Sequence, residues 1–396
     1  MHINLFDTHT AAYLLPFTHT RPAADIRCGI LTMRERWEQY LQASNTGSIT
    51  QDPLNKVFPA TYTADNLYIN GNIFANVPLG IVISNLKNDQ ALIQGETVIA
   101  IRTTRQLDYD TINKGSLKDF EPVLYKEAFV ALKNVWDIFS LNDYALRADF
   151  EFLTHNKTSE AIPEGIRVIG DRDKLFLAEG TKIYDGVFNT STGPIFIDED
   201  AEVMEGVMLR GPLYLGKHGA IKMGAKIYGA TTIGHGSKVG GEISNTVFFD
   251  HSNKGHDGFL GNAVIGEWCN LGADTNSSNL KNNYDEVSIW SEHENRMVKT
   301  GLQFCGLLMG DHSKCGINTM FNTGTVVGVS CNIYGGDFPD KFIPSFSWGG
   351  KNDRTSYQFD KAIDTAKRMM ARRGMEPSTE EIELLKYICK NSQQYL

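Results

Sequence analysis

One glycine-rich stretch, 251–261, concentrates polar side chains that could carry proton-transfer chemistry. His256 stands near its centre, and imidazole is the side chain whose unperturbed pKa lies near neutrality, so it can accept a proton in a transition state. Asp257 could orient this imidazole, and Lys254 supplies a positive charge suited to a substrate phosphate. The sequence therefore predicts His256 as a general base and Lys254 as a phosphate contact; alternatively, His256 is a solvated or structural histidine.

A second group of polar residues follows shortly downstream. Amide, hydroxyl and ammonium groups form the hydrogen bonds by which proteins recognise sugar hydroxyls and phosphates. The candidate substrate contacts are Asn270, Asn279, Lys281, Asn283 and Tyr284. A metal site is only weakly indicated here, because His251 and His256 are five residues apart with no cysteine near them. We predict no metal ligands.

One apolar residue returns every six positions on both sides of this region. The first series is Ile197, Val203, Leu209, Leu215, Ile221, Ile227, Ile233 and Val239, and the second is Met309, Cys315, Phe321, Val327 and Ile333. Helices repeat apolar residues at 3.6 and strands at 2, so a period of six fits neither. It predicts a left-handed parallel β-helix of hexapeptide repeats, whose stacked coils form the core. Loops that leave such a regular wall are where a site can be built.

The N-terminal part alternates strand-like and helix-like segments, which predicts an α/β domain over residues 1–160. A strand-like segment at 4–7 precedes a polar loop, and a helical pattern begins near Ile30. Such a loop is where open α/β sheets bind phosphates. Arg21 and Arg27 are therefore candidate phosphate contacts, or alternatively surface partners of carboxylates such as Asp7 and Asp25.

The second domain is expected over 161–345, with helices over 346–396 that cap the open end of the stack. A basic cluster in these helices is interpreted as a solvated face: Lys367, Arg368, Arg372 and Arg373.

Composition excludes several classes of function. The net charge of −9 argues against a general binder of nucleic acid or anionic membranes, although a local cluster of donors can still bind an anionic small ligand. The six cysteines include no CxxC pair, which makes a disulfide framework improbable in a chain of this length. Neither a secretory leader nor a membrane-length apolar run is recognisable, so we expect a cytoplasmic protein.

Several motifs of the second half resemble the acetyltransferase half of the bacterial bifunctional UDP-N-acetylglucosamine pyrophosphorylase/glucosamine-1-phosphate N-acetyltransferase family. They are Lys254-Gly255-His256-Asp257-Gly258-Phe259-Leu260-Gly261, Asn270-Leu271-Gly272-Ala273 and Asn283-Tyr284-Asp285. Neighbouring segments, such as Gly240-Gly241-Glu242, are similar to a divergent Bacteroidetes-type, sugar nucleotidyltransferase-like branch.

This resemblance implies that His256 deprotonates the amino group of glucosamine 1-phosphate as it attacks acetyl-CoA. Asn270 falls on a substrate-contacting asparagine, and Phe259 replaces a tyrosine that binds the sugar. The family also implies a homotrimer with sites between subunits.

In the first half, the resemblance implies a sugar nucleotidyltransferase that uses a nucleoside triphosphate and Mg²⁺. Here 15–22 replaces the family's glycine-rich loop without any glycine. Asn70-Gly71-Asn72 stands where the family has a glycine and a metal-binding aspartate, and Asn72 lacks the charge that Mg²⁺ favours. The predicted nucleotide-binding residues are Asn70, Asn72, Arg21 and Arg27.

These observations together predict acetyl-CoA-dependent N-acetylation of an amino-sugar 1-phosphate, fused with nucleotidyl transfer to a sugar 1-phosphate, in nucleotide-sugar and cell-envelope synthesis. Two alternatives remain open. In the first, only nucleotidyl transfer operates and the β-helix serves oligomerisation. In the second, the protein binds nucleotide sugars without catalysis.

Overall fold

The computed structural model describes residues 2–43, 45–114 and 117–395. Its contacts divide the chain into two compact units. The N-terminal unit comprises Met1–Ile26, Leu31–Val135 and Thr379–Leu385. The solenoid unit comprises Arg27–Ile30, Trp136–Ser378 and Lys386–Leu396.

The N-terminal unit is built on one mixed sheet of six strands in the order β2-β1-β3-β5-β4-β6. The strands are β1 (His2–Phe6), β2 (Asn45–Ile49), β3 (Asn66–Asn70), β4 (Gln90–Gln94), β5 (Thr97–Thr103) and β6 (Glu121–Leu124). Strand β1 pairs in parallel with β2 on one side and with β3 on the other. The strand order therefore reverses at β1, and the crevice at the carboxyl ends of β1 and β3 is a topological switch point.

Four α-helices accompany this sheet: α1 (Met33–Leu41), α2 (Leu54–Val57), α3 (Val77–Ser84) and α4 (Tyr109–Lys114). Helix α1 begins with a capping box, in which the Thr32 hydroxyl accepts from the Glu35 N–H and the Glu35 carboxylate accepts from the Thr32 N–H. Trp37 of α1 is buried, and its Nε1 donates to the Ile73 carbonyl at 2.9 Å. The loop between β1 and α1 contains three short 3₁₀ segments: His9–Leu14, Phe17–His19 and Ala23–Asp25. A further 3₁₀ segment is Leu117–Asp119.

The solenoid unit is a three-sided stack of short parallel strands, which confirms the predicted parallel β-helix. Face 1 contains Arg167–Ile169, Gly186–Asn189, Val207–Arg210, Lys226–Tyr228, Glu242–Ser244, Phe259–Gly261, Asn276–Ser277 and Met320–Phe321. Face 2 contains Leu175–Leu177, Ile195–Ile197, Leu213–Leu215, Thr231–Ile233, Val247–Phe248, Val264–Ile265, Leu308–Met309, Val326–Val327 and Phe342–Ile343. Face 3 contains Lys182–Ile183, Glu202–Val203, Ala220–Ile221, Lys238–Val239, Asn253–Lys254, Asn270–Leu271, Lys314–Cys315, Asn332–Ile333, Ser347–Gly349 and the antiparallel Thr355–Ser356.

The hexapeptide residues form the inward rows of this stack. On face 3, Val203 pairs with Ile221 and Ile221 with Val239, and all three are fully buried. The residue that pairs with Val239 in the next coil is Lys254, which is also fully buried. An ammonium group thus occupies an inward row that is otherwise aliphatic in the preceding coils.

The stack is interrupted once between Asn276–Ser277 and Leu308–Met309. This insertion contains an antiparallel hairpin, Ser288–Ser291 with Arg296–Lys299. The stack also continues past residue 345, since Ser347–Gly349 is a strand of face 3.

Four further helices complete the chain: α5 (Asp137–Ser140), α6 (Asn142–Thr154), α7 (Phe359–Ala371) and α8 (Thr379–Ser392). Two 3₁₀ segments, Arg172–Lys174 and Gln393–Tyr395, are also present. Over the described residues, every helix is too short or too polar to cross a membrane.

Candidate functional sites

His256 lies at the corner between face 3 and face 1, in the turn that follows Asn253–Lys254. Its side chain is exposed, and its imidazole forms no hydrogen bond with another described residue, including Asp257. Gly241 in the preceding coil shapes this corner. It has a φ of +76°, and a Cβ there would lie 3.0 Å from the His256 carbonyl oxygen. Only glycine therefore allows the two turns to approach so closely.

The corner encloses an open cavity of about 460 Å³. Besides His256, its lining includes Met204, Lys222, Met223, Asp257 and Asp274. An unpaired imidazole beside an ammonium group can accept a proton from an amine whose attached phosphate is held nearby. Lys222 is a lining residue that the sequence analysis missed. The available signal was its position directly after the inward residue Ile221, where the chain turns a corner.

The Lys254 side chain, which the sequence predicts as a contact for a substrate phosphate, is fully buried in the structure. Its Nζ donates to the carbonyl oxygens of Gly240, His256 and Asp257 at 3.3, 2.9 and 3.2 Å. Burial lowers the pKa of Lys254 to about 8. Because the side chain points into the solenoid, its ammonium group ties together the peptide bonds of the corner that presents His256.

The other predicted substrate contacts lie in separate parts of the solenoid unit. Asn270 lies on the outer side of face 3 and accepts a 2.9 Å hydrogen bond from Asn253 Nδ2. Asn279 lies at the opposite end of face 1 from His256, where its Nδ2 donates to Asn262 Oδ1 at 2.8 Å.

The remaining predicted contacts belong to the insertion. Lys281 Nζ donates to the Glu286 carbonyl, and the Asn283 side chain accepts from the Asp285 N–H. Tyr284 is 67% exposed. None of these loop residues lines the His256 cavity of the same chain.

The N-terminal unit contains a second cavity, of about 650 Å³, at the switch point of its sheet. Thr8 follows β1, and Asn70 and Asn72 end or follow β3, so all three line it. The sequence analysis missed other polar lining residues, which include His9, Thr10, Tyr13, Thr97, Lys133 and Asn134. Only their convergence in space marks them, since they come from three separate segments of the chain. The cavity lies where open α/β sheets bind their ligands.

Two buried amides shape the floor of this cavity. Asn70 Nδ2 donates to the Val98 carbonyl at 3.1 Å, and its Oδ1 accepts from the Asn72 N–H at 3.0 Å. Asn72 Nδ2 donates to the Leu132 carbonyl at 2.9 Å. Asn72 is only 2% exposed, and its Oδ1 has no hydrogen-bond partner among the described residues. This acceptor is available to a donor group of a ligand.

The two predicted arginines do not line this cavity. Arg27 lies in the solenoid unit, where its Nε is 3.3 Å from Asp250 and its Nη1 donates to the Ile30 carbonyl. Arg27 is itself buried and pairs with the half-buried carboxylate of Asp250, and its contact with a phosphate stays a prediction. Arg21 is buried, with 6% exposure.

The donor set of this cavity does not fit Mg²⁺, which prefers carboxylate and water oxygens. Asn70 and Asn72 present amides, and Glu96 is the acidic residue of the lining. Asp7, at the end of β1, accepts from the Ala23 N–H, and burial raises its pKa to about 7. Within 2–43, 45–114 and 117–395, no group of three histidine, cysteine, aspartate or glutamate side chains could hold a metal ion.

Residues 3–158 match the family model described as sugar nucleotidyl transferase. This match covers the N-terminal sheet and its switch-point cavity, and it agrees with the motif resemblance of the first half.

The curated relatives combine two activities in their names. The chain is 30% identical over 146 residues to a bifunctional sugar-1-phosphate nucleotidylyltransferase/acetyltransferase of Sulfurisphaera tokodaii, covering 36% of each chain. It is 27% identical over 117 residues to the bifunctional protein GlmU of Methanocaldococcus jannaschii, covering 30% of this chain and 28% of that protein. The chain thus matches a minor part of each relative's length. The resemblance to bifunctional nucleotidyltransferase/acetyltransferases is confirmed.

A solved structure of the polySia specific acetyltransferase NeuO aligns with 54% of this chain and 99% of its own. The identity is 14% and the TM-score is 0.30, which is too low for a structural argument.

Proposed function

We propose that this protein is an acetyltransferase that modifies the amino group of an amino-sugar 1-phosphate of the glucosamine 1-phosphate class, with acetyl-CoA as the donor. The observation that carries the proposal is the exposed, unpaired imidazole of His256 in a cavity at a β-helix corner. The family motif around His256 and the similarity to bifunctional relatives support it.

In this proposal, both substrates are bound together and the acetyl group passes directly between them. The amine nitrogen forms a bond to the thioester carbonyl carbon, the carbon–sulfur bond breaks, and His256 accepts the amine proton. The departing coenzyme A thiolate takes up a proton. Holding amine and thioester in position supplies much of the acceleration. Backbone N–H groups of the adjacent coils would stabilise the developing oxyanion.

The proposal includes a homotrimer. His256 and the loop residues Asn279 and Tyr284 lie at opposite ends of face 1, so the polar contacts of one site would come from two copies. Met223 and Ile317, at the His256 corner, are 67% and 69% exposed. Large exposed apolar side chains beside a site are typical of surfaces that another protein covers.

The N-terminal unit, in this proposal, binds a nucleotide in the switch-point cavity and transfers a nucleotidyl group to a sugar 1-phosphate. The family match over 3–158 and the position of the cavity support this assignment. A second candidate is nucleotide-sugar binding without turnover. The amide of Asn72 favours it, because Asn72 lacks the charge that Mg²⁺ favours.

Two assays on the purified protein test these assignments. One measures thiol release from acetyl-CoA with glucosamine 1-phosphate, and the other measures pyrophosphate release from nucleoside triphosphates with a sugar 1-phosphate, with and without Mg²⁺. We expect thiol release that depends on the amino sugar. Its absence in a folded protein would contradict the acetyltransferase. Nucleotide binding without pyrophosphate release would favour the second candidate.

Because these substrates are cytoplasmic metabolites, we place the protein in the cytoplasm.

A further inference from the structure

Three amide side chains from three different elements line the switch-point cavity. Asn72 follows β3, Gln94 ends β4 and Asn113 belongs to α4. Strand β5 lies between β3 and β4 and is antiparallel to both, so the carboxyl ends of β3 and β4 meet at the same edge of the sheet. We call these three residues the amide set.

The hydrogen bonds of the amide set fix the orientation of each amide group. Each NH₂ group donates to backbone carbonyls: that of Asn72 to Leu132 at 2.9 Å, that of Gln94 to Tyr125 and Glu127 at 3.2 and 2.9 Å, and that of Asn113 to Asp7 and Tyr109 at 3.0 Å. Because a carbonyl oxygen accepts but never donates, the atom that faces it must be the nitrogen. The amide oxygens receive no hydrogen bond from a described residue. The amide set therefore offers acceptors.

The acceptor of Asn72 is the most demanding of the three. This side chain is only 2% exposed, so its Oδ1 is shielded from bulk water as well as unpaired within the described chain. Native structures rarely leave a buried polar atom without a partner, and such an atom is explained by a group that binds there. A ligand that carries a hydrogen-bond donor would satisfy it.

The charges of the lining do not indicate a site for a metal-bound polyphosphate. Apart from His9, the charged side chains of the described lining are Lys133 and Glu96, and their signs are opposite. One carboxylate among neutral amides is a poor set of ligands for Mg²⁺. Neutral amide oxygens are instead suited to accept from the hydroxyl groups of a sugar.

The amide set is spread widely across the cavity. Asn113 bonds to Asp7, which directly follows β1, whereas Gln94 ends β4, and three strand spacings separate β1 from β4. At about 4.8 Å per spacing, this is roughly 14 Å. Lys133 lies between these ends, since the N–H of the preceding residue bonds to the Asn72 carbonyl. A nucleotide sugar has the same order of groups, with a hydroxyl-bearing ring on each side of a diphosphate.

We infer that the switch-point cavity binds a nucleotide sugar without a divalent cation, and that the amide oxygens of Asn72, Gln94 and Asn113 accept hydrogen bonds from hydroxyl groups of its two rings. This inference rests on the proposed nucleotide-binding role of the N-terminal unit, and it holds whether or not turnover follows. The hydroxyl groups thus occupy the place that a metal ion would need beside Asn72.

The test is calorimetric titration of the full chain with UDP-glucose, UDP-N-acetylglucosamine, dTDP-glucose and GDP-mannose, each in the presence of Mg²⁺ and of EDTA. The variants are Asn72→Ala and Gln94→Met, and melting curves check their folding. Gln94 is half-buried, so its variant keeps the test informative if the buried Asn72→Ala variant fails to fold. The matched control is Gln90→Met on the same strand, because Gln90 donates to Glu121 outside the cavity.

We expect at least one of these nucleotide sugars to bind the wild type with the same affinity in Mg²⁺ and in EDTA. Asn72→Ala and Gln94→Met should each weaken that binding about threefold to tenfold, as for the loss of one neutral hydrogen bond. Gln90→Met should leave it unchanged.

Three results would overturn the inference. Binding that is lost in EDTA would place a metal ion in the cavity and retain the proposed nucleotide-binding role. Equal affinities of Gln94→Met, Gln90→Met and the wild type would remove the amide contact. Absence of binding by all four nucleotide sugars would also overturn it, and pyrophosphate release from a nucleoside triphosphate by the same protein would then leave the proposed function intact.

Discussion

At the residue scale, Lys254 is a positioning residue for the candidate base next to it. Its buried ammonium group donates to the carbonyls of His256 and Asp257, within the turn, and of Gly240, in the preceding coil. These bonds satisfy the buried ammonium group, which would otherwise lack hydrogen-bond partners. The Asp257 carbonyl also accepts from the Asp274 N–H at 3.1 Å. We therefore attribute the geometry of the corner in part to the buried ammonium group of Lys254.

We predict that Lys254→Met lowers kcat by up to about 10²-fold with a smaller change in KM, because a displacement of about 1 Å in a catalytic group has that effect. Lys254→Arg should recover part of the loss. The control is Lys182→Met, which removes an exposed lysine from the same face. A kcat equal to that of the control would contradict the positioning role.

The depressed pKa of Lys254 also predicts a dependence of stability on pH. The folded protein has a pKa of about 8 at this site, and an unfolded lysine has one of about 10.4. Between these values the unfolded chain binds more protons, so stability rises with pH by at most about 1.4 kcal/mol per unit. Below pH 8 the lysine is protonated in both states, and the cost of burying its charge is fully present.

Urea unfolding of the wild type and of Lys254→Met at pH 7, 8, 9 and 10 checks this. The difference in unfolding free energy should shift in favour of the wild type as the pH rises from 8 to 10. A constant difference would show that the lysine titrates at its ordinary pKa.

At the element scale, the switch point of the N-terminal sheet places groups from β1, β3 and the segment 129–134 around one cavity. Lys133 is an exposed basic residue of this lining, positioned to contact a ligand phosphate. We predict that Lys133→Gln weakens nucleoside triphosphate binding by about tenfold or more, as expected for the loss of one charged hydrogen bond. Acetyl transfer should be unaffected.

The matched control for Lys133→Gln is Lys126→Gln, an exposed lysine of the same unit outside the cavity. Fluorescence titration with a labelled nucleoside triphosphate measures both variants. Equal affinities would place the nucleotide somewhere other than the switch-point cavity.

At the scale of the whole molecule, the proposed homotrimer builds each acetyl-transfer site from the His256 corner of one copy and the insertion of another. This arrangement predicts intersubunit complementation. His256→Ala and the double variant Asn283→Ala/Tyr284→Ala should each be nearly inactive alone. The two variants are then mixed, unfolded and refolded together. A fraction of the sites should then combine an intact His256 corner from one copy with an intact insertion from another, and activity should be recovered. Mixtures that remain as inactive as the separate variants would contradict a shared site.

The sequence predicted the β-helix well because its core follows a simple local rule: one apolar residue in every six points inward. Val203, Ile221 and Val239 all follow this rule and are fully buried. It did not show that Lys254 is buried, because the residue type indicates a solvated ammonium group and only the three-dimensional corner supplies three carbonyl acceptors. Arg27 was assigned to phosphate because its partner, Asp250, lies 223 residues further along the chain. For the same reason, the sequence did not show that Arg373, within the basic cluster at 367–373, lies against the distant turn at Gly236.

The central claim is that His256 is the base of an acetyltransferase, and thiol release from acetyl-CoA with glucosamine 1-phosphate tests it most directly. The comparison is between the wild type, His256→Ala and His218→Ala, an exposed histidine at another turn of the solenoid. We predict that His256→Ala reduces kcat by about 10²–10⁴-fold, as for loss of a general base, while His218→Ala retains wild-type activity. Equal rates in all three proteins would contradict the assignment.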